Sequence, residues 1–416
     1  MVPTRRTLAC AALCALAVGP RPAGAQQPLD REGYVAIVLS THPVVGQRAG
    51  LDAAAAAERR AVRLWPDPVV AFSAAKGRPA DGPGDRGAET AFSISQVFPW
   101  RPTFSAGVRA GDAAATALLA NAEGLRWELI ADARAAFAQL ASARAFVDIA
   151  RATEADARSL RDLVISRTEL GEARESDRIK ATVEWMRQQR NLASAERAAT
   201  SAETIVRALA GGALPRPLVI VPPPRPPAWS IRDDFPVVDL VSRNPRVQVA
   251  LAEAERQRAL LSAATSGRVP DLGMTLFRNA ELDKVSTGVS LDVTVPLWNA
   301  NRGQIARAQA SMLTSSAEVQ RARVDLATEF EARLRDLHLA AGQVAVLEGE
   351  ILPAAHRSVE LARFSFEEGE TLLLDLLDAQ RTFRDTQREA VDAHAAVWLA
   401  QAEAQRLVGP DFTPWK

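Results

Sequence analysis

Cysteine is nearly absent from this chain, and the place where it occurs is telling. Cys10 and Cys14 both fall within the first 25 residues, so the remainder can form no disulfide framework and no thiolate metal site. Long apolar runs are missing as well. Beyond residue 25 nothing approaches the roughly 20 consecutive apolar residues of a transmembrane helix. Neither sign of charge dominates: 50 basic residues face 50 acidic ones. Removing residues 1–25 takes away Arg5, Arg6 and Arg21 and no acid, leaving −3, which excludes an electrostatic footprint for nucleic acid. There is no nucleophile motif, no phosphate-cradling glycine loop and no His-Glu-x-x-His. The four histidines, His42, His338, His356 and His394, are scattered and none stands at a metal-ligand spacing from another. His338 and His356 read as ordinary helix-face residues. The sequence asks for no cofactor and no metal, and offers no enzyme.

What is present begins with an address. Arg5 and Arg6 precede an apolar stretch from Leu8 to Val18, and Ala23-Gly24-Ala25 supplies the small-x-small pattern of a signal-peptidase site. This places the mature start near Gln26, with residues 1–25 as a cleaved signal peptide. The stretch is too short to span a bilayer as an ordinary helix. Thr4-Arg5-Arg6 hints at twin-arginine export, but nothing downstream suggests a cofactor folded in the cytoplasm, so the general route is expected. Lipidation at Cys10 or Cys14 is the weaker alternative, because Ala23-Gly24-Ala25 is the better cleavage site.

Most of the mature chain reads as helix of unusual length. No proline occurs from about Ser105 to Ser166, and alanine, leucine, arginine and glutamate dominate there. At ~1.5 Å per residue such a segment makes a rod of roughly 90 Å. Further helical runs are expected at about 174–210, 302–366 (with one proline, Pro353) and 371–408. Rods this long cannot wrap a compact core and must pack along their length, coiled-coil fashion. Composition alone would equally suit any long coiled coil.

Two regions break this texture. Val285, Thr287, Val289, Leu291, Val293 and Val295 alternate with Ser286, Gly288, Ser290, Asp292 and Thr294. Leu272, Met274 and Leu276 alternate with Gly273 and Thr275. Upstream, Phe92, Ile94 and Phe98 alternate with Ser93, Ser95 and Val97, and Val70, Phe72 and Ala74 do so more weakly. The pattern predicts four strands, at about 68–76, 89–99, 271–278 and 285–296, forming two hairpins. One apolar and one small polar face suits a barrel between lipid and water; a soluble sheet with one wet face would serve as well. Four strands cannot close a barrel, and open edges are untenable in lipid. Entry into a membrane would therefore require oligomerisation.

The two halves repeat each other. Val97-Phe98-Pro99-Trp100 corresponds to Val295-Pro296-Leu297-Trp298. Gly171-Glu172 with Asp177 matches Gly369-Glu370 with Asp375, 198 positions on, and Ala210-Gly211 matches Val408-Gly409. His42-Pro43 and Asn244-Pro245 open the two units. Residues 26–213 and 231–410 then form two repeats joined by a proline-rich connector at 214–230, expected to be extended and without ladder bonds, with 411–416 as a tail. A period of about 200 is too long for a solenoid unit, so these are two pseudo-equivalent halves of one subunit.

The order helix, hairpin, very long helix, glycine turn, helix, twice over, resembles the TolC family of outer-membrane efflux proteins. The most specific piece runs from Phe366 through Glu367-Glu368-Gly369-Glu370 to Asp375-Leu376-Leu377-Asp378-Ala379-Gln380; Val295-Pro296-Leu297-Trp298-Asn299 followed by Arg302-Gly303 adds to it. The resemblance covers nearly the whole mature chain. It implies a mainly α protein with a small β part: a homotrimer whose subunits give four strands each to a twelve-stranded barrel in outer-membrane lipid, continued by a helical periplasmic duct. It further implies a passive exit channel docked to a periplasmic adaptor and an inner-membrane pump, a proton-driven cation or drug exporter. The modest length and the lack of a lipid cysteine are similar to the outer components of cobalt-zinc-cadmium or copper efflux systems.

At the duct's far end the resemblance places Gly171 and Gly369 in chain-reversing turns. With Glu172, Asp177, Phe366 and Glu370 these would form the tips that meet adaptor hairpins. Asp375 and Asp378, three apart on one helix face, would line the entrance constriction and, in a trimer, form a cation-attracting ring. The plainer alternative is that Asp375 favours the positive end of its helix while Asp378 faces solvent. Lys180 stands where the second half has Asp378, so the halves differ at the entrance. Phe366 occupies a position where close relatives often carry tyrosine, so no hydroxyl can tie the tip there. A second functional class, a soluble periplasmic coiled-coil adaptor or scaffold, lacks support because no lipoyl-like strand block separates the helical arms.

Overall fold

The computed structural model describes residues 28–77, 87–222, 231–232, 234–269, 271–293 and 300–415. The expected signal peptide, residues 223–230 of the connector and the strand-end motif at 295–299 lie outside the described residues. The chain runs α1 (Arg31–Thr41), α2 (Val44–Ala61), β1 (Val69–Gly77), β2 (Gly87–Phe98), α3 (Arg101–Glu169), α4 (Glu175–Leu209), α5 (Val237–Ser242), α6 (Pro245–Ser266), β3 (Leu272–Ala280), β4 (Val285–Val293) and α7 (Arg302–Val346). A π-helical turn at Leu347–Ile351 leads into α8 (Leu352–Glu367), and α9 (Leu373–Val408) follows. The protein is mostly helical with one small antiparallel sheet.

The 69 residues of α3 make a rod of roughly 100 Å. It starts earlier than the absence of proline predicted, because Pro102 falls in its first turn, where a missing N–H is no loss. Its buried positions are largely alanine, including Ala106, Ala110, Ala115, Ala122, Ala133 and Ala136, and small side chains let α2, α4, α6 and α9 pack against it. The helical run expected at about 302–366, with its one proline, is continuous but changes form within it. Pro353 has no N–H for the carbonyl of Gly349 one turn back, and just before it the helix widens at Leu347–Ile351.

The four strands form one sheet in the order β1-β2-β3-β4. The two hairpins are joined through β2 and β3, with Phe92 opposite Arg278 and Ser95 opposite Thr275. Alternation sorts the two faces. Phe72, Phe92, Ile94, Leu276, Val289 and Leu291 lie on the exposed face. The other carries a polar ladder: Ser95 and Thr275 hydroxyls 2.9 Å apart, Thr275 donating to Asp292 (3.1 Å) and Ser290 to the same carboxylate (3.2 Å).

The apolar core is distributed along the rods. One cluster gathers Tyr34, Val38, Phe137, Leu140 and Val206, where the Tyr34 hydroxyl donates to the Val206 carbonyl at 3.0 Å; burial pushes its phenol well above the ordinary range. A second joins Val241, Val247, Phe330, Leu407 and Phe412. The connector is less open than expected: Leu214 and Leu218 are buried in the first cluster, and Leu29 pairs with it through Leu29 N to Val219 O (2.8 Å) and Val221 N to Leu29 O (2.9 Å). The prolines begin in earnest only after these two apolar anchors, so this part of the connector does make ladder-type bonds. The halves are tied by Arg134, which reaches Glu32, Gln405 and the Pro410 carbonyl, and by Arg406 on Asp132.

Candidate functional site

The end of the molecule opposite the sheet is built from two chain reversals of the same design. Gly171 has φ +80° and Gly369 φ +79°, the left-handed region that glycine enters without a Cβ penalty. In the first turn Glu172 N donates to Arg167 O (2.8 Å) and Gly171 N to Thr168 O (3.1 Å); in the second, Glu370 N donates to Ser365 O (2.8 Å) and Gly369 N to Phe366 O (3.1 Å). These are the paired bonds of a Schellman helix end, satisfying carbonyls that the helix leaves without partners.

The next helices start differently. In α9 the Asp375 carboxylate accepts from the Leu372 N–H at 3.3 Å, one half of a capping box and a favourable site for an anion near the positive end of the helix dipole. Asp378, one turn on, is exposed and borders a cleft with Arg381. In α4 the matching acid, Asp177, is half-buried and pairs with Lys180 at 3.4 Å. The plain capping role therefore holds for Asp375 within one subunit, and both aspartates stay accessible.

Between the tips lies a small apolar cluster drawn from both halves: Leu160, Val164 and Ala181 from α3 and α4, and Phe366, Leu373 and Leu376 from α8 and α9. Over it sits Arg167. Its guanidinium donates to the carbonyl of Phe366 (3.1 Å) and to that of Glu367 (2.7 Å), with its carbon 5.4 Å from the Phe366 ring centroid. A cation from the first half thus caps the last turn of α8 in the second. Residue type and spacing gave no sign of this contact, because it joins positions 199 apart with no motif between them.

A second tie lies further up. Arg384 of α9 and Glu184 of α4 are 3.1 Å apart, their side chains only 14% and 15% exposed. They border a polar cleft of about 430 Å³ lined also by Arg187, Arg190, Asp385 and Arg388. Among the described residues no group of His, Cys, Asp and Glu is arranged to hold a metal ion. His338 lies on the Leu334 carbonyl, His356 near Glu360 and His394 on Glu348. No described helix is long and apolar enough to cross a membrane.

Residues 237–410 match the outer membrane efflux protein family. The chain is 25% identical over 240 residues to the cobalt-zinc-cadmium resistance protein CzcC of Cupriavidus metallidurans, a match spanning 56% of each chain. Its fold is that of several solved channels. It superposes with TM-score 0.79 on CusC (14% identity, 91% of this chain and 92% of that one) and 0.77 on the outer-membrane channel OprN (19%, 91% and 89%). With the outer membrane protein VceC of Vibrio cholerae the TM-score is 0.75 (16%, 91% and 96%).

Proposed function

Starting from its outer membrane efflux protein region at 237–410 and a fold shared with those channels, we propose that this chain is the outer-membrane exit duct of a tripartite efflux system. It is a passive conduit and not a catalyst. The observation that carries this is the four-stranded sheet, apolar on one face and polar on the other, mounted on helical rods of roughly 100 Å. Its two edge strands need partners before they can enter lipid. A homotrimer supplies them, closing twelve strands into one barrel, and the two pseudo-equivalent halves of each subunit continue as a periplasmic duct. The protein is exported through a cleaved signal peptide at 1–25.

The tips built on Gly171, Glu172, Asp177, Phe366, Gly369 and Glu370 dock a periplasmic adaptor, which connects the duct to an inner-membrane pump. Asp375 and Asp378 stand where three subunits would converge, forming a ring of carboxylates at the entrance. Asp375 can cap its own helix and still contribute, since a carboxylate has a second oxygen and remains exposed. The cargo is set by the pump; the likeness to a cobalt-zinc-cadmium resistance protein favours metal cations over drugs.

Single-channel recording in planar bilayers tests this. Wild type should conduct with a preference for cations, and the double variant Asp375→Lys, Asp378→Lys should lose or invert that preference. Unchanged selectivity would remove both aspartates from the constriction. Recovery of the wild type from the soluble periplasm would instead favour the scaffold alternative and refute the channel.

A further inference from the structure

The exposed face of the sheet carries two charges, and both are positive. Counting from the register, this face presents Val70, Phe72, Ala74 and Lys76 on β1, then Thr90, Phe92 and Ile94 on β2. It continues with Leu272, Leu276 and Arg278 on β3 and Val285, Thr287, Val289 and Leu291 on β4. The sheet's two acids, Glu89 and Asp292, fall on the opposite face. Arg278 is exposed, flanked across the strands by Phe92 and Thr287. Among the described residues neither Arg278 nor Lys76 has an ion-pair partner; the nearby turn acid Glu281 is taken by Lys284 at 3.8 Å.

On the channel reading this face meets lipid, where an unpaired guanidinium is disfavoured unless its long stem carries it to an anionic group at the interface. The helix end of the sheet is marked by Trp65, 5.8 Å from Phe98 and 6.5 Å from Phe104 by ring centroids, an aromatic girdle of the kind found at a membrane interface. Phe98 pairs with Leu272, and Arg278 is six residues further along β3. At ~3.3 Å per residue and a tilt near 40° it stands roughly 15 Å above the girdle, and its side chain reaches higher still. Lys76 pairs with Ala88, ten residues from Phe98, which puts it roughly 25 Å up, at the far edge of an apolar band about 25 Å tall. Lys76 thus stands at the outer edge of the apolar band and Arg278 roughly 10 Å below it, where its long stem can carry the guanidinium toward that edge, the two lying two strands apart on a face of aliphatic and aromatic side chains.

We infer that Arg278 and Lys76 form a seat for the phosphate of an anionic, acyl-chained glycolipid in the outer leaflet. The Arg278 fork takes the phosphate oxygens, Lys76 supplies the second charge, and the acyl chains lie over Phe72, Phe92, Ile94 and Leu276. The inference rests on the membrane reading proposed above.

The test uses the full-length protein extracted from outer membranes in mild non-ionic detergent. Retained phosphorylated glycolipid is counted by native mass spectrometry for wild type, Arg278→Gln, Lys76→Gln and the double variant. Wild type should retain it; the double variant should lose at least tenfold, and Arg278→Lys should keep part of it. Reconstitution with the dephosphorylated glycolipid should lower wild-type retention to the level of the double variant. Equal retention by wild type and double variant, both recovered in the outer-membrane fraction, overturns the seat while leaving the channel intact. Equal retention of the phosphorylated and dephosphorylated lipids overturns the role of the phosphate. A wild type found in the soluble periplasm overturns the seat together with the reading beneath it.

Discussion

Replacing Arg167 by alanine should loosen the tip selectively. The substitution removes two hydrogen bonds from a charged donor, to the carbonyls of Phe366 and Glu367, and a cation–ring contact at 5.4 Å. Hydrogen bonds to charged groups contribute about 1.5–3 kcal/mol when buried, but the Glu367 carbonyl lies at an exposed turn, so about 2 kcal/mol is reasonable for both. The ring contact adds about 0.5–1 kcal/mol at a partly exposed site. A total of about 2.5–3 kcal/mol corresponds to a roughly 60- to 150-fold shift in the opening equilibrium, at about 1.4 kcal/mol per factor of ten. Native-state hydrogen exchange reads this directly. Protection of the Gly369 and Glu370 amides, bonded to Phe366 and Ser365, should fall by that factor, while amides around Phe137 and Leu140 stay unchanged. On the proposed duct reading, conductance in bilayers should rise in parallel. Arg167→Lys keeps the charge without the fork and should fall between. Exchange within twofold of wild type at 365–371, with conductance unchanged, would refute the reasoning.

Other outcomes follow from the same geometry. Gly171→Ala and Gly369→Ala meet no neighbouring atom within 4 Å, so each should lower stability by only about 1–2 kcal/mol, the left-handed backbone penalty, seen as a modest drop in melting temperature; a loss of folding would mean that the turns carry more than backbone strain. Gly288→Ala should be worse than its size suggests, because the added Cβ would lie 2.7 Å from the Phe277 ring; overpacking costs about 1–3 kcal/mol, and the proposed trimer should dissociate at lower temperature on semi-native gels. Acid should weaken the helical body through Glu203. Burial pushes its carboxyl upward, but hydrogen bonds and charge from Arg207 and Arg144 outweigh this and hold it below the usual range. Its stabilisation is therefore complete above the unfolded value of about 4.3 and is lost as pH falls through the lower folded value. Melting curves of wild type and Glu203→Gln should converge on acidification below pH ~4; parallel curves would exclude the effect.

The absence of proline and a composition of good helix formers carried the long helices, and alternation carried the one-sided strands, because both are local signals that tertiary packing reinforces. The glycine turns were legible for a similar reason: reversal after a long helix needs positive φ, and only Gly171 and Gly369 offer it there. Pairing of β2 with β3 was not legible, since nothing in Ser95 or Thr275 names a partner 180 positions away. The π-helical turn before Pro353 was visible as a proline but not as a widening, because a proline can kink, end or widen a helix depending on its neighbours. The Arg167 contact and the Arg384–Glu184 tie depend on the side-by-side placement of rods that composition does not set.

The Arg167 contact bears on how the proposed repeats share the tip. Moved by the repeat spacing of 198, Arg167 falls on Ser365 and Phe366 on Thr168. The bond that clasps α8 therefore has no counterpart clasping α3, because Ser365 has no fork and Thr168 no ring. The same asymmetry runs through the following helices: α4 neutralises Asp177 with Lys180, whereas α9 leaves Asp378 exposed one turn after Asp375. At the tip the first half supplies the cation and the second the carbonyls, and further up the direction reverses, Arg384 of the second half meeting Glu184 of the first, so the joint is a complementary fit between diverged copies. It follows that Ser365→Arg should not rescue Arg167→Ala: an arginine at 365 would lie beside Arg167's own turn only if the halves packed symmetrically. Restoration of tip protection in that double variant would show that the two halves are interchangeable at this joint and would overturn the one-way clasp.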